Sequence, residues 1–377
     1  LYGAIAANFT TFKPVEDGAH IDLQFTILEL GDSHTVMQEE PGEPSTGSSN
    51  RQELRVKGFT IRINETQSGH ASTLEVECRP WQTRKRRLLS ILPAPLQRLA
   101  NMRYVTGVEL QSLDFLFHVY LWLTQLSLLK HSATYVHAST MYSESLRTTL
   151  LISGWGGVGK TSLTSYAYSE SLGDWAFLSD DLSIVDSDGR VWPNPLAIHY
   201  YPYNLKGFRT LSARLYRIMA PIDREHWRLR AKLFGNSGVV RRVDPRALWN
   251  VSASPQHLSQ ALFLERWSGR KPEAAAMTLE DFGERSLHIL LFELKTILTP
   301  IIVAHATTDI TLQTHIPTIS TFVSDTARVM NSAFSGTSLL HIFVPKPWGP
   351  VELGEYVFDN RDPDKPGSVL LNLQCEQ

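Results

Sequence analysis

The chain opens with alternating apolar and polar positions, which predict a β-rich region. The stretches HIDLQFTILEL (20–30), LRVKGFTIRI (54–63) and STLEVECRPW (72–81) repeat apolar residues at every second position. That period is typical of strands with one buried face. The polar stretch MQEEPGEPSTGSSN (37–50) is rich in proline, glycine and serine, so it predicts a flexible loop between the first two strands.

A long apolar run predicts a buried helix. The run LDFLFHVYLWLTQLSLL (113–129) carries Asp114, His118 and Gln125. It is also shorter than the roughly 20 residues that cross a bilayer. We therefore expect a core helix over 111–130 and no membrane span. From residue 131 the pattern predicts a strand, a glycine loop, a helix, another strand and a hairpin.

Composition and charge narrow the class of protein. The chain has 377 residues, of which 42% are hydrophobic and 20% charged, as in soluble globular proteins. A net charge of −2 predicts no general affinity for polyanions. The two cysteines, Cys78 and Cys375, are too few for a disulfide framework or a metal cluster. We therefore expect a reducing compartment and a cytoplasmic location.

The stretch LLISGWGGVGKTSLTSY (150–166) contains the clearest chemical motif. Gly154, Gly159, Lys160 and Thr161 match G-x-x-x-x-G-K-[ST], the phosphate-binding loop. Glycines allow backbone N–H groups to approach an anion closely, and the N-terminus of the following helix favours negative charge. The competing interpretation is a glycine-rich turn that binds nothing.

The residues around this loop supply the setting that the motif requires. TTLLISG (148–154) predicts an apolar strand, and KTSLTSYAYSE (160–170) predicts a helix. Lys160 would reach the β- and γ-phosphates of ATP, and the hydroxyl of Thr161 would hold Mg²⁺. Trp155 has three interpretations: it shields the site, stacks on a base or packs locally. The residues predicted to bind the nucleotide are Gly154, Gly156, Gly157, Val158, Gly159, Lys160, Thr161 and Ser162.

Two adjacent carboxylates follow the next predicted strand. WAFLSDDLSIVDSDGRVWPNP (175–195) begins as an apolar strand, reaches Asp180 and Asp181, and continues into a predicted hairpin. The hairpin would add an antiparallel element to the sheet. One carboxylate can coordinate Mg²⁺ and the other can accept a proton from an attacking hydroxyl. A solvated acidic turn is the alternative.

These motifs together resemble a known family. YVHASTMYSESLRTTLLISGWGGVGKTSLTSY (135–166) followed by the acidic stretch is similar to the catalytic core of HPr serine kinase/phosphorylases, and to that of ATP-dependent phosphoenolpyruvate carboxykinases. The resemblance covers about 135–200, with a weaker match at ALFLERW (261–267). It implies an ATP- and Mg²⁺-dependent kinase. It does not extend to the first 110 residues or identify the acceptor.

The resemblance also implies roles for single residues. His137 would lie near the transferred phosphate, whereas a lone histidine on a strand is otherwise more often structural. Residues 154–161 would hold ATP and Mg²⁺. Asp180 would be the general base and Asp181 a metal ligand beside Thr161.

A basic segment follows the acidic stretch. Residues 206–246 contain eleven Lys and Arg against three Asp and Glu, a net charge of +8 in a chain that is −2 as a whole. Arginines bind carboxylates and phosphates in bidentate fashion, so this segment predicts an anionic acceptor, with Arg241 or Arg242 also stabilising the transition state. A solvated helical face is the alternative. Nucleic acid is disfavoured because no aromatic platform accompanies the charges.

The sequence therefore predicts an α/β fold in two parts. Residues 1–110 would form a β-rich domain, and 111–377 a mixed-sheet P-loop kinase domain of HPr kinase-like type. Within the latter, TPIIVAHATTDITL (299–312) and TSLLHIFVPKPWGP (337–350) predict further sheet, and 317–334 a helix.

The predicted reaction transfers the ATP γ-phosphate to a hydroxyl of a small metabolite or of a peptide or protein serine. A nucleotide-dependent switch or assembly ATPase is the alternative. A carboxykinase-like lyase is a third interpretation, but the extra metal and substrate ligands that its chemistry needs are not recognisable in the sequence. Assembly into a homo-oligomer stays open.

Overall fold

The structure is a computed structural model that describes most of the chain. The described residues are 23–27, 53–56, 59–68, 71–81, 88–169, 174–194, 196–293, 295–306 and 316–359. The predicted flexible loop at 37–50 and Cys375 lie outside them.

The first region forms a four-stranded sheet. Its strands are β1 Leu23–Ile27, β2 Glu53–Val56, β3 Phe59–Ser68 and β4 Ala71–Pro80, in the order β1-β4-β3-β2. β1 runs parallel to β4, and the other pairs are antiparallel. The prediction of one strand at 54–63 was wrong, because this stretch contains β2 and the start of β3, which pair with each other. Residues 57–58 between them, a Lys-Gly pair, lie outside the described residues.

A long helix connects the two regions. After α1 (Ala94–Ala100), helix α2 (Gly107–Phe115) continues through one π-helical turn (Leu116–Tyr120) into α3 (Leu121–Lys130). Thr106 begins it with a capping box: its hydroxyl accepts from the Glu109 amide at 3.2 Å, and the Glu109 carboxylate accepts from the Thr106 amide at 2.7 Å. The predicted buried helix over 111–130 is thus confirmed.

By length and composition alone this helix could cross a membrane, but 61% of its apolar window is buried in the fold. Core helices meet the same criteria. Its Phe115 ring contacts Phe25 and Phe59 of the first sheet, with centroids 5.4 and 5.7 Å apart. The same hydrophobic core therefore extends on both sides of residue 110, and the division into domains at that residue stays a prediction.

Twelve more strands follow among the described residues. They are β5 Ala133–Val136, β6 Ala138–Ser143, β7 Thr148–Gly154, β8 Trp175–Ser179, β9 Ser183–Asp186, β10 Arg190–Trp192, β11 Ile198–Tyr200, β12 Arg241–Val243, β13 Gln256–His257, β14 Gln260–Trp267, β15 Glu273–Ala276 and β16 Ser338–Pro345.

Six of these strands form the central sheet, in the order β15-β16-β14-β7-β6-β8. β16, β14 and β7 are parallel, whereas β6 is antiparallel to both β7 and β8, and β15 is antiparallel to β16. The predicted α/β class with a mixed sheet is confirmed. β7 lies in the interior of the sheet, and all its residues but the first are buried.

The predicted hairpin forms as β9 and β10. The expectation that it joins the same sheet was wrong, since it pairs with β5 in a second sheet of order β13-β10-β9-β5. β5 leads through His137 directly into β6, so one chain segment links the two sheets. β11 and β12 form a separate antiparallel pair.

Helices cover the sheets. Those of the second region are α4 Lys160–Ser169, α5 Arg209–Ile218, α6 Pro221–Phe234, α7 Leu279–Glu293, α8 Lys295–Ala306, α9 Ile319–Phe334 and α10 Pro350–Gly354. The helix predicted at 317–334 is confirmed.

The prediction of sheet at the start of 299–312 was wrong, because residues up to 306 belong to α8. The β-branched residues of this run suggested a strand. Ile301 and Ala304, however, are both fully buried and lie three positions apart, on one helical face. Packing of that face against the core therefore overrides local propensity.

Candidate functional site

The strand order explains why distant polar residues meet at one edge of the central sheet. β6 runs antiparallel between β7 and β8. The residue before β6 therefore lies at the same edge as the residues that follow β7 and β8. Those positions are His137, the glycine loop at 154–159, and the pair Asp180 and Asp181.

The loop has the backbone conformation for which its glycines are needed. Gly154 and Gly159 have φ of 142° and 121°, a region that disfavours side chains. A Cβ on Gly154 would lie 2.5 Å from the carbonyl oxygen of Leu264 on the neighbouring strand. The loop leads directly into α4, as the motif predicted. Of the other predicted loop residues, Gly156 and Gly157 line a cavity, whereas Val158 and Ser162 are buried.

Lys160 lies at the centre of the site and is buried. Its Nζ donates to the Gly154 carbonyl at 2.9 Å and lies 2.9 Å from Nε2 of His137. Burial lowers the pKa of Lys160, while Asp181 and Asp180 act in the opposite direction. Burial and the neighbouring Lys160 lower the pKa of His137 to about 4, so the imidazole is neutral near pH 7 and can accept from the ammonium.

Asp180 faces the loop. Its carboxylate accepts from the hydroxyl of Ser139 on β6 and from that of Thr161, the latter at 3.2 Å to each oxygen. Burial, with repulsion from Asp181, raises the pKa of Asp180 to about 7, although the Ser139 hydrogen bond and the charge of Lys160 act against this. A carboxyl group with such a pKa can take up and release a proton near neutral pH.

Asp181 has a different environment. Its φ of 62° turns the chain sharply after β8, a conformation that aspartate tolerates better than most residues. Its side chain is 40% exposed and accepts from Nδ1 of His199 on β11 at 3.0 Å. Partial desolvation within the cavity opposes ionisation, but the hydrogen bond and charge of His199, with His137 and Lys160, hold the pKa of Asp181 below its usual range. The acidic pair thus has two distinct sets of partners.

Most of these side chains line one cavity of about 600 Å³, whereas Ser139, which donates to Asp180 from β6, does not. The loop end of the cavity contains Lys160, Thr161, His137 and the acidic pair. The cavity is also lined by a further set of polar residues: Arg103, His199, Tyr201, Tyr203, Ser237 and Arg242. One cavity therefore contains a lysine, two carboxylates and two arginines, together with phenol and hydroxyl groups.

The structure separates the two arginines that the sequence could not distinguish. Arg242 lines the cavity, where burial and the like charge of Arg103 lower its pKa to about 10. Arg241 points away from it and is buried. It donates to Asp223 at 2.7 Å and contacts Nδ1 of His226 at 2.8 Å. The structure thus brings Arg242, and not Arg241, to the other predicted site residues.

Several site residues were missed by sequence reasoning. Ser139 lies two positions after His137 on β6, so period-2 alternation could have placed it on the same side. His199, Arg103 and Glu293 carry no local signal. Glu293, at the end of α7, lines the cavity, and its Oε1 would lie 3.3 Å from a Cβ on Gly156.

The donor set fits Mg²⁺ bound together with a nucleotide. Mg²⁺ in such sites is held by one or two carboxylates, a hydroxyl, substrate phosphates and water. Thr161, Asp180 and Asp181 supply the protein's share at the loop end. Within the described ranges no group of three or more His, Cys, Asp or Glu forms a metal cage by itself.

A comparison with protein-family models finds no match, and a comparison with curated proteins finds no relative.

Proposed function

We propose that this protein is an ATP- and Mg²⁺-dependent kinase with a P-loop domain of HPr kinase-like type, which phosphorylates a hydroxyl group. One observation carries the proposal: a loop lysine, a hydroxyl and two carboxylates in different environments line the same cavity. A nucleotide-binding loop alone would bind phosphate. The acidic pair adds a base and a metal ligand.

Each group has a role in this proposal. The loop backbone and Lys160 hold the phosphates. Mg²⁺, held by Thr161 and Asp181, would neutralise charge on the phosphate oxygens. Asp180 accepts the proton of the acceptor hydroxyl. At the same time the hydroxyl oxygen bonds to the γ-phosphorus, and the bond between that phosphorus and ADP breaks. The pKa of about 7 suits Asp180 to that step.

The arginines that line the cavity support an anionic acceptor. An acceptor hydroxyl must be held in line and within about 3–3.5 Å of the phosphorus. Arg242 and Arg103, which line the cavity and are not part of the loop, can fix a carboxylate or phosphate of a small metabolite or a serine peptide. The phosphates of ATP are already served by the loop, which leaves these arginines for the second substrate.

The test is ATP binding followed by phosphoryl transfer. We expect calorimetry to show Mg²⁺-dependent ATP binding by the wild-type chain, and Lys160→Ala to reduce turnover about 10³-fold or more, because Lys160 stabilises charge in the transition state. Lys232→Ala, at an exposed position on α6, is the matched control.

Transfer is followed as radiolabelled γ-phosphate on a panel of anionic hydroxy compounds and serine peptides. Absence of nucleotide binding by the wild-type chain would refute the proposal. ATP hydrolysis without transfer to any acceptor would instead favour the switch or assembly ATPase.

A further inference from the structure

A second cavity, of about 440 Å³, lies on the other side of the glycine loop. Gly156 and Gly157 line both cavities, so the glycine loop forms part of the wall of each. The second is bounded by the carboxyl end of β14, by α7 and by Trp155. Ligands of open α/β sheets bind at such strand ends.

The wall of this cavity is largely apolar and partly aromatic. Trp155, Val158, Phe263, Leu264 and Ile289 line it. The Trp155 ring packs against Phe292, with centroids 4.6 Å apart and planes tilted by 38°. Both rings remain about half exposed, 49% for Trp155 and 52% for Phe292. A large aromatic surface thus stands open beside the phosphate loop.

The charged groups at this cavity already have partners within the fold. Arg285 donates to Glu265 at 2.8 Å. Arg266 donates to the carbonyls of Pro345 and Trp348, both at 2.9 Å. A flat, neutral ligand therefore suits this cavity better than an anion, in contrast to the first cavity, which is lined by Arg103 and Arg242.

We propose that the second cavity binds the nucleobase of the nucleotide, a purine stacked on the open face of Trp155. This inference rests on the proposed function. A nucleotide has a charged end and a flat aromatic end, and the shared loop separates one charged and one apolar cavity. The acceptor must reach Asp180 in the first cavity, which leaves the second to the base. Trp155 then acts in nucleotide binding rather than in shielding or in local packing alone.

The experiment compares two ligands, Mg²⁺–ATP and Mg²⁺–inorganic triphosphate, which shares the phosphates but has no base. In Trp155→Ala we expect ATP to bind roughly 5- to 100-fold more weakly, the usual effect of losing one base–aromatic stack, with triphosphate affinity unchanged. Trp155→Phe should retain most of the ATP affinity. Trp81→Ala, which removes a tryptophan that is 41% exposed and lines neither cavity, is the matched control.

The outcomes separate this inference from the kinase proposal. Unchanged ATP binding in Trp155→Ala, or equal weakening of both ligands, would overturn the base site alone, since equal weakening means that Trp155 shapes the loop. Wild-type protein that binds triphosphate as tightly as ATP would also overturn it. Wild-type protein that binds neither ligand would overturn the proposed function and this inference together.

Discussion

The sequence predicts functional residues both at the edge of the central sheet and in the basic segment 206–246. The two regions differ in how many of those residues line the first cavity. At the sheet edge, residues from three separate stretches converge on one cavity. In the basic segment, eleven positive charges are close in sequence, yet Arg242 is the one of them that lines this cavity.

The other charges of that segment show why. Arg241 is paired with Asp223, Arg228 with Glu225 at 2.7 Å, and Arg230 donates to the carbonyl of Leu99 at 3.1 Å. Arg241 and Arg230 thus connect α6 to β12 and to α1, and Arg228 forms an exposed pair within α6, so none of the three contributes to a clamp at the cavity. Charge density along a chain does not predict convergence, whereas strand order does, because it fixes which residues share an edge.

The largest effect should come from the acidic pair. Asp180→Asn removes the proposed base, so we expect about 10²- to 10⁴-fold slower transfer with ATP affinity retained. Asp181→Asn should instead raise the Mg²⁺ concentration needed for half-maximal rate. Steady-state rates across a Mg²⁺ titration distinguish the two variants. Near-normal turnover of both variants at ordinary Mg²⁺ concentrations would mean that the acidic pair has a structural role and no role in catalysis.

The next largest effects should come from substitutions of Arg241 and Arg242, which are adjacent in the basic segment but have different environments. Arg242→Gln should raise the acceptor KM about 10- to 100-fold, the range of a lost charge-assisted hydrogen bond, with little change in the ATP KM. Arg241→Gln should leave both KM values unchanged but lower the free energy of unfolding by roughly 1–3 kcal/mol, because part-buried Asp223 loses its charged hydrogen-bond partner.

Kinetics for both substrates and a urea melt of each arginine variant test this pair. A higher ATP KM in Arg242→Gln, with the acceptor KM unchanged, would assign Arg242 to the nucleotide. Equal destabilisation by the two substitutions would remove the distinction between them.

The smallest effect is a pH dependence of stability. The folded-state pKa of Asp180, about 7, lies above the unfolded value of about 3.9, so the fold disfavours its ionised form. Stability present below pH ~4 should be lost as pH rises through 7. Asp180→Asn removes this loss, so its melting temperature relative to wild type should rise by a few degrees between pH 4.5 and 8.

Thermal melts across this pH range check that trend, and Asp325→Asn, at a partly exposed position on α9, is the matched control. A difference between Asp180→Asn and wild type that is the same at every pH would contradict the raised pKa.

Local sequence determined those elements of the fold that depend on interactions between residues close together in the chain. The spacing of Gly154, Gly159 and Lys160, between an apolar strand and a helical pattern, predicted the loop and its flanking elements with nearly correct bounds. Alternation predicted the hairpin of β9 and β10. Glycine conformation and strand period act within a few residues, so they can be recognised without the rest of the chain.

Tertiary structure decided what depends on distant partners. Only the antiparallel placement of β6 between β7 and β8 brings His137 and Ser139 to the loop. Burial of one face made residues 295–306 a helix despite their β-branched run. On β12, successive side chains point in opposite directions. Arg241 therefore forms an ion pair with Asp223, whereas Arg242 lines the cavity, although the two are equivalent in sequence. The groups that lie on each side of β12 are set by the folded chain and cannot be read from the sequence around it.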